Sequence, residues 1–143
     1  LDLSEVTDQQ GLAFENAVAA ALQPHVDEIK QRWRHNSEIV EIDLILRYSN
    51  QIGIIEAKTG TRAGKAEGIQ QLALAGGQRF FGTYVRRFLV IDRDWSGRTK
   101  LQQLAKNIGI TVVELPGYAA TKTIHATEQE KLVRAVQSAL GKK

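Results

Sequence analysis

The stretch VEIDLILRYSNQIGIIEAKTG, residues 40–60, reads as two apolar strands joined by a polar turn, yet it carries Glu41, Asp43, Glu56 and Lys58. A charge in a strand that faces a core is costly unless it is paired or coordinates a metal. Over Ile39–Tyr48 the side chains alternate: Ile42, Leu44 and Leu46 share one face, and Glu41, Asp43, Ile45 and Arg47 the other. YSNQIG, Tyr48–Gly53, has turn composition, and Ile54–Thr59 follows as an antiparallel return strand, which makes a hairpin. Glu56 and Lys58 share a side of that strand, with Ala57 between them. The hairpin therefore presents either a solvated face with cross-strand ion pairs, or one patch of two or three carboxylates and an ammonium.

Carboxylates held this close repel one another unless a cation lies among them. Hard divalent ions take oxygen ligands, and Mg²⁺ keeps several waters, so two carboxylates and a backbone carbonyl suffice. Asp43, Glu56 and the carbonyl of Ala57 are such a set. Lys58 is placed to hold a phosphate oxygen, or to orient an attacking water and offset negative charge, as phosphodiester hydrolysis requires. Glu41 is open to two roles: ligand of a second metal, or salt-bridge partner of Arg47 or Lys58.

Outward from the hairpin, hydrophobic spacing gives a helix over Asp8–Gln23 stopped by Pro24, an ambiguous stretch at 26–35 that suits an edge strand, and a helix over Lys65–Phe81. Val85–Ile91 is a strand whose apolar second half suits burial on both faces. A helix at Arg98–Asn107, a strand at Ile110–Leu115 broken by Pro116-Gly117, and a helix at Glu128–Leu140 with Thr127 as N-cap complete the order. A hairpin followed by crossover units implies an α/β fold, a mixed sheet flanked by helices, in one domain over residues 1–143.

The composition, 43% hydrophobic and 24% charged, is that of a globular protein and argues against disorder. No apolar run approaches the roughly 18 residues of a membrane span, so no membrane partner is expected. The absence of cysteine excludes disulfides and thiolate metal sites and suits a cytoplasmic location. The chain begins without Met, as a fragment of a longer protein would, and its start has no secretory signal. The net charge of +3 permits a polyanionic partner without demanding one. Lys and Arg gather between Arg62 and Lys100 while most acids precede Glu67, which gives either an anion-facing side or a scattered solvated surface.

Asp43 followed by Glu56-Ala57-Lys58 resembles the PD-(D/E)xK nuclease motif, with Ile42 where the motif has proline. That resemblance implies a restriction-endonuclease-like fold, Mg²⁺ or Mn²⁺ as cofactor on Asp43 and Glu56, and a catalytic Lys58. It also implies a further acid on the first helix, matched by Glu15, and a polar residue on the helix after the motif, for which Gln71 is favoured over Gln70. The succession GLAFE, EIDLI, IIEAKT, IQQL and GTYVRRFLVID, over roughly residues 8–115, is similar to the nuclease domain of CRISPR ancillary effectors, which carry a cyclic-oligoadenylate sensor domain. The expected activity is hydrolysis of DNA and/or RNA in CRISPR-linked or other anti-phage defence. A sensor domain in the full-length protein and a homodimer that pairs two sites for two strands are further expectations. The alternatives are a junction-resolvase or restriction-type endonuclease, and an inactive nucleic-acid-binding module of the same fold.

Among remaining motifs, GTRAGK (Gly60–Lys65) mimics a phosphate-binding loop. It has one residue too few between its glycines, and Ala66 replaces the Mg²⁺-binding hydroxyl. Arg62 and Lys65 in this loop, with Arg79 further on, are candidate phosphate contacts for a nucleic acid. His25, His35 and His125 lack ligand spacing and read as surface or structural residues. Trp33, Tyr84 and Trp95 suit either base stacking or the core.

Overall fold

The computed structural model describes residues 3–34, 41–75 and 85–141. Its centre is a five-stranded sheet in the order β1 (Glu28–Arg34), β2 (Glu41–Tyr48), β3 (Gln51–Lys58), β4 (Arg86–Ile91), β5 (Ile110–Glu114). The first three strands are antiparallel, whereas β3, β4 and β5 are parallel, so the sheet is mixed as the hairpin-then-crossover order predicts. The ambiguous stretch after Pro24 does supply the edge strand, β1.

The hairpin turn is tighter than expected. Ser49 and Asn50 alone make it, with φ of 54° and 64°, the left-handed pair that matches strand twist in a two-residue loop. Gln51 and Ile52 already belong to β3, and Tyr48 pairs with Gln51. Gly53 is not a turn residue. A Cβ there would lie 3.1 Å from Phe88 and 3.3 Å from Leu140, so its missing side chain serves packing.

Helices cover both faces. Helix α1 (Leu3–Leu22) begins earlier than Asp8, since no Gly or Pro before Gly11 interrupts it, and ends in a 3₁₀ turn, Gln23–His25, that contains Pro24. Helix α2 (Glu67–Ala75) is the first part of the predicted 65–81 helix. Arg79 and Tyr84 lie outside the described residues, as does His35. Helix α3 (Thr99–Ile108) ends at Gly109, whose φ of 84° makes the left-handed cap. Pro116 does more than end β5: its fixed φ suits a helix start, and α4 (Gly117–Thr121) follows. Helix α5 spans Ala126–Gly141, which puts Thr127 inside its first turn and not at the cap position. Among the described residues no helix is long and apolar enough to cross a membrane.

The core has two halves. Phe14, Val18 and Leu22 of α1, with Leu132, Val136 and Leu140 of α5, pack with Leu44, Leu46, Ile55, Ala57, Phe88 and Val90. On the other side Ile69 and Leu72 of α2 and Ala105 of α3 pack with Ile42, Ile54, Leu89 and Ile91. Strand β4 thus feeds both halves alternately, as a continuous apolar run should. Strand β2 departs from strict alternation: Ile42 belongs with α2 and α3, whereas Leu44 and Leu46 belong with α1 and α5. The break falls at Asp43. Trp95 joins the core at 0% exposure, and its Nε1 donates to the Ala63 carbonyl at 2.7 Å, so it does not stack on bases.

Helix α2 sits tightly on β3 and β4 because Gly68 faces them. A Cβ there would lie 2.7 Å from Leu89 Cδ1 and 3.3 Å from Lys58 Cγ. Gly68→Val should therefore lower stability by about 1–3 kcal/mol through overpacking. Gly11→Ala, where a Cβ meets nothing within 4 Å, should not. Urea midpoints compare the two, and equal midpoints would contradict this seating of α2.

Candidate active site

Past Leu44 and Ile55 the β2–β3 pairing stops. In its place the Asp43 side chain inserts, and its Oδ2 accepts the Ala57 N–H at 3.0 Å. A carboxylate has taken over a backbone position, which fixes Asp43 against the strand that carries Glu56 and Lys58. By alternation from Ile54, Glu56 and Lys58 leave β3 on the α2 side.

Glu56 is 2% exposed and Lys58 8%. The Lys58 Nζ lies 3.6 Å from Glu56 Oε2 and 3.7 Å from Glu67 Oε1 at the start of α2. Burial first, then the charge of Asp43, pushes the Glu56 carboxyl up from 4.5 to about 9, against the opposing pull of Lys58. At that value the Glu56 carboxyl keeps its proton near neutral pH.

Asp43, Ala57, Lys58, Glu15 and Arg62 line one cavity of about 320 Å³; Glu56 does not line it. Glu15 is 2% exposed. Its Oε2 accepts from Gln31 Nε2 at 3.0 Å and lies 3.6 Å from Arg32 Nε. Helix α1 thus brings its acid to the cavity, where β1 holds it. Lys65 is exposed and does not line this cavity. Gln70 is exposed, whereas Gln71 is half-buried, one turn beyond Glu67, with an Oε1 that has no hydrogen-bond partner among the described residues. The side chains of Glu41 and Trp33 are outside the described residues.

Sequence reasoning missed Glu67, Gln31 and Arg32. Glu67 was findable as the first-turn acid of the helix after the motif. Arg32 was not, because its position depends on a left-handed backbone (φ 52°) within an edge strand.

A hard divalent cation fits this donor set. Asp43 and Glu56 offer carboxyl oxygens on adjoining strands beside the Lys58 ammonium, and Mg²⁺ needs few protein ligands besides water. Among the described residues no group of three or more His, Cys, Asp or Glu side chains is arranged to hold a metal. The third acid, Glu15, is engaged by Gln31 and Arg32 instead.

No protein-family model matches the sequence. No curated protein matches it either. Solved structures do match. Can2 from Sulfobacillus thermosulfidooxidans, determined in complex with cyclic tetra-adenylate, superposes with a TM-score of 0.59 at 14% identity, over 89% of this chain and 33% of Can2. VC1899 from Vibrio cholerae gives 0.57 at 20% identity, over 93% of this chain and 34% of VC1899. A third, the protein of unknown function AF1548, gives 0.57 at 16% identity over 88% of this chain and 67% of its own. The chain spans about one third of the length of the first two. At these identities the likeness establishes the fold: an α/β, restriction-endonuclease-like mixed sheet flanked by helices.

The Glu56 proton has a measurable consequence. The folded protein keeps a proton that the unfolded chain releases above about pH 4.5, so this group's contribution to stability falls as pH rises from there to about 9 and is flat beyond. Glu56→Gln, which retains a hydrogen-bond donor towards Asp43, should remove that slope. In metal-free buffer its melting temperature should exceed wild type by several degrees at pH 8 and by little at pH 5. Parallel profiles for the two proteins would show that Glu56 is not protonated in the fold.

Proposed function

We propose that this chain hydrolyses phosphodiester bonds of DNA and/or RNA with Mg²⁺ or Mn²⁺. The observation that carries the proposal is Asp43, anchored on the Ala57 N–H, beside Lys58 at an open cavity, with Glu56 3.6 Å from the Lys58 ammonium. Asp43 and Glu56 hold the cation, with the Ala57 carbonyl as a further oxygen donor. When bound, the ion supplies a water of lowered pKa and a positive centre for the phosphate. Lys58, restrained by Glu56 and Glu67, offers its ammonium to a non-bridging phosphate oxygen as water attacks phosphorus and the ester bond to the leaving oxygen breaks. Glu15 orients a water on the α1 side, and Arg62 holds a flanking phosphate. Gln71 of α2 is a further polar group of the site, and Lys65 and Arg79 are further phosphate contacts.

The sequence resemblance to CRISPR ancillary nucleases and the fold shared with Can2 support a role in CRISPR-linked or other anti-phage defence. We further propose that this chain is the nuclease part of a longer, cytoplasmic protein with a sensor domain, acting as a dimer; its span of one third of Can2 is consistent with a longer whole.

The test is cleavage of plasmid, single-stranded DNA, single-stranded RNA and a four-way junction, with Mn²⁺ and with EDTA. Lys58→Ala should reduce turnover by about 10²–10³ while the fold, checked by circular dichroism, stays intact. Wild-type rates in that variant would remove Lys58 from the mechanism, and preferred cutting of the junction would favour a resolvase. Because the cation must displace the Glu56 proton, the thermal upshift on adding Mn²⁺ should grow from about pH 6 to about pH 9. Asp43→Asn should show no such upshift. An equal upshift in that variant would mean that the ion binds elsewhere.

A further inference from the structure

A second cavity, of about 530 Å³, adjoins the first. Thr59 lines both. The two open where β3 and β4, parallel neighbours, reach their C-terminal ends, the side of an α/β sheet on which ligands are taken. The second cavity lies between α1, the turn after β3, the residues after β4, and α4. Among the described residues its charged ones are Asp92, Arg93 and Lys122.

The acid among them is already committed. Asp92 is 2% exposed; its Oδ2 accepts the Gly60 N–H at 3.3 Å, and its Oδ1 accepts from Arg93 Nε at 3.1 Å. Asp92 thus ties the turn after β3 to the end of β4 and orients Arg93. Only the Nε of Arg93 has a partner among the described residues, and its side chain is 41% exposed. Lys122 is exposed on the opposite wall, at the end of α4, with its Nζ 6.0 Å from the centre of the Tyr118 ring. With Asp92 paired to Arg93, the described lining carries one net positive charge, and the two guanidinium nitrogens of Arg93 beyond Nε stay available beside Lys122; the volume falls in the range that accepts small ligands, about 300–1,000 Å³.

We infer that this cavity receives the nucleotide adjoining the scissile phosphate, unpaired, with its phosphate on Arg93 and Lys122. The inference presupposes the nuclease activity proposed above and names where its substrate strand runs: from Lys58 past Thr59 to Arg93. Neither cation touches the reacting atoms; both hold the strand.

The test uses the full chain with Arg93→Gln and Lys122→Ala combined, and Arg93→Lys as the conservative control. Binding of fluorescein-labelled single-stranded DNA and RNA is followed by anisotropy in EDTA across a salt series, and Mn²⁺-dependent hydrolysis of bis(4-nitrophenyl) phosphate, which has no adjoining nucleotide, is measured in parallel. The double variant should bind about tenfold more weakly, and its slope of log affinity against log salt should be shallower by about 1.4, the value for two lost single-strand phosphate contacts. Its hydrolysis of the small diester should match wild type, and Arg93→Lys should recover most of the slope. Wild-type affinity and slope in the double variant would overturn the inference while the nuclease proposal stands. Equal loss on oligonucleotide and small diester would overturn it as well, by showing a structural defect. A wild-type chain that neither binds nor cleaves nucleic acid would end the nuclease proposal itself and the inference with it.

Discussion

The hydrogen bond from the Ala57 N–H to Asp43 Oδ2 is the contact on which the site depends. A hairpin whose ladder continued to its end would pair these strands through their backbones and leave Asp43 on a surface. Here the ladder ends at Leu44 and Ile55, and the side chain takes the vacated donor. That substitution costs no hydrogen bond, and it anchors one carboxyl group against the strand that carries the next. The same point on β2 is where Ile42 changes sides of the sheet, so the parting of the strands and the break in alternation coincide.

The electrostatics follow from this geometry. Two carboxyl groups brought together in a buried place cannot both be ionised cheaply. Lys58 relieves part of that cost but stands between Glu56 and Glu67, more than 3.5 Å from each, so it neutralises neither fully. The cost shows in the Glu56 carboxyl, whose pKa is pushed up first by burial and then by the charge of Asp43.

The fold was largely legible in the sequence because its strands differ in kind. Alternation in residues 40–48 and the unbroken FLVI of β4 distinguish a partly charged strand from one buried on both faces. Boundaries were less legible. Ser49-Asn50 closes the hairpin with asparagine in a conformation usually left to glycine, so the nearby Gly53 drew the turn too far. Pro116 reads as a breaker although it opens α4, because a proline that ends one element can begin the next. In the site, Asp43, Glu56 and Lys58 stood out through spacing alone. Glu67 and Arg32 did not, since a helix start and a kinked edge strand bring them in from outside the hairpin. Asp92, just past the end of β4, clasps a neighbouring turn that lies far from it in sequence.

Ala57 stands between the two charged residues of β3 and points the other way, into the half of the core that contains Phe14 and Val18 of α1. Its single methyl group sets how closely that helix can lie on the strand. The spacing between the acid on α1 and the pair on the hairpin is therefore governed from beneath, by the smallest side chain in the motif. Any bulkier residue there would act as a shim, lifting one wall of the cavity while leaving every charged group chemically intact.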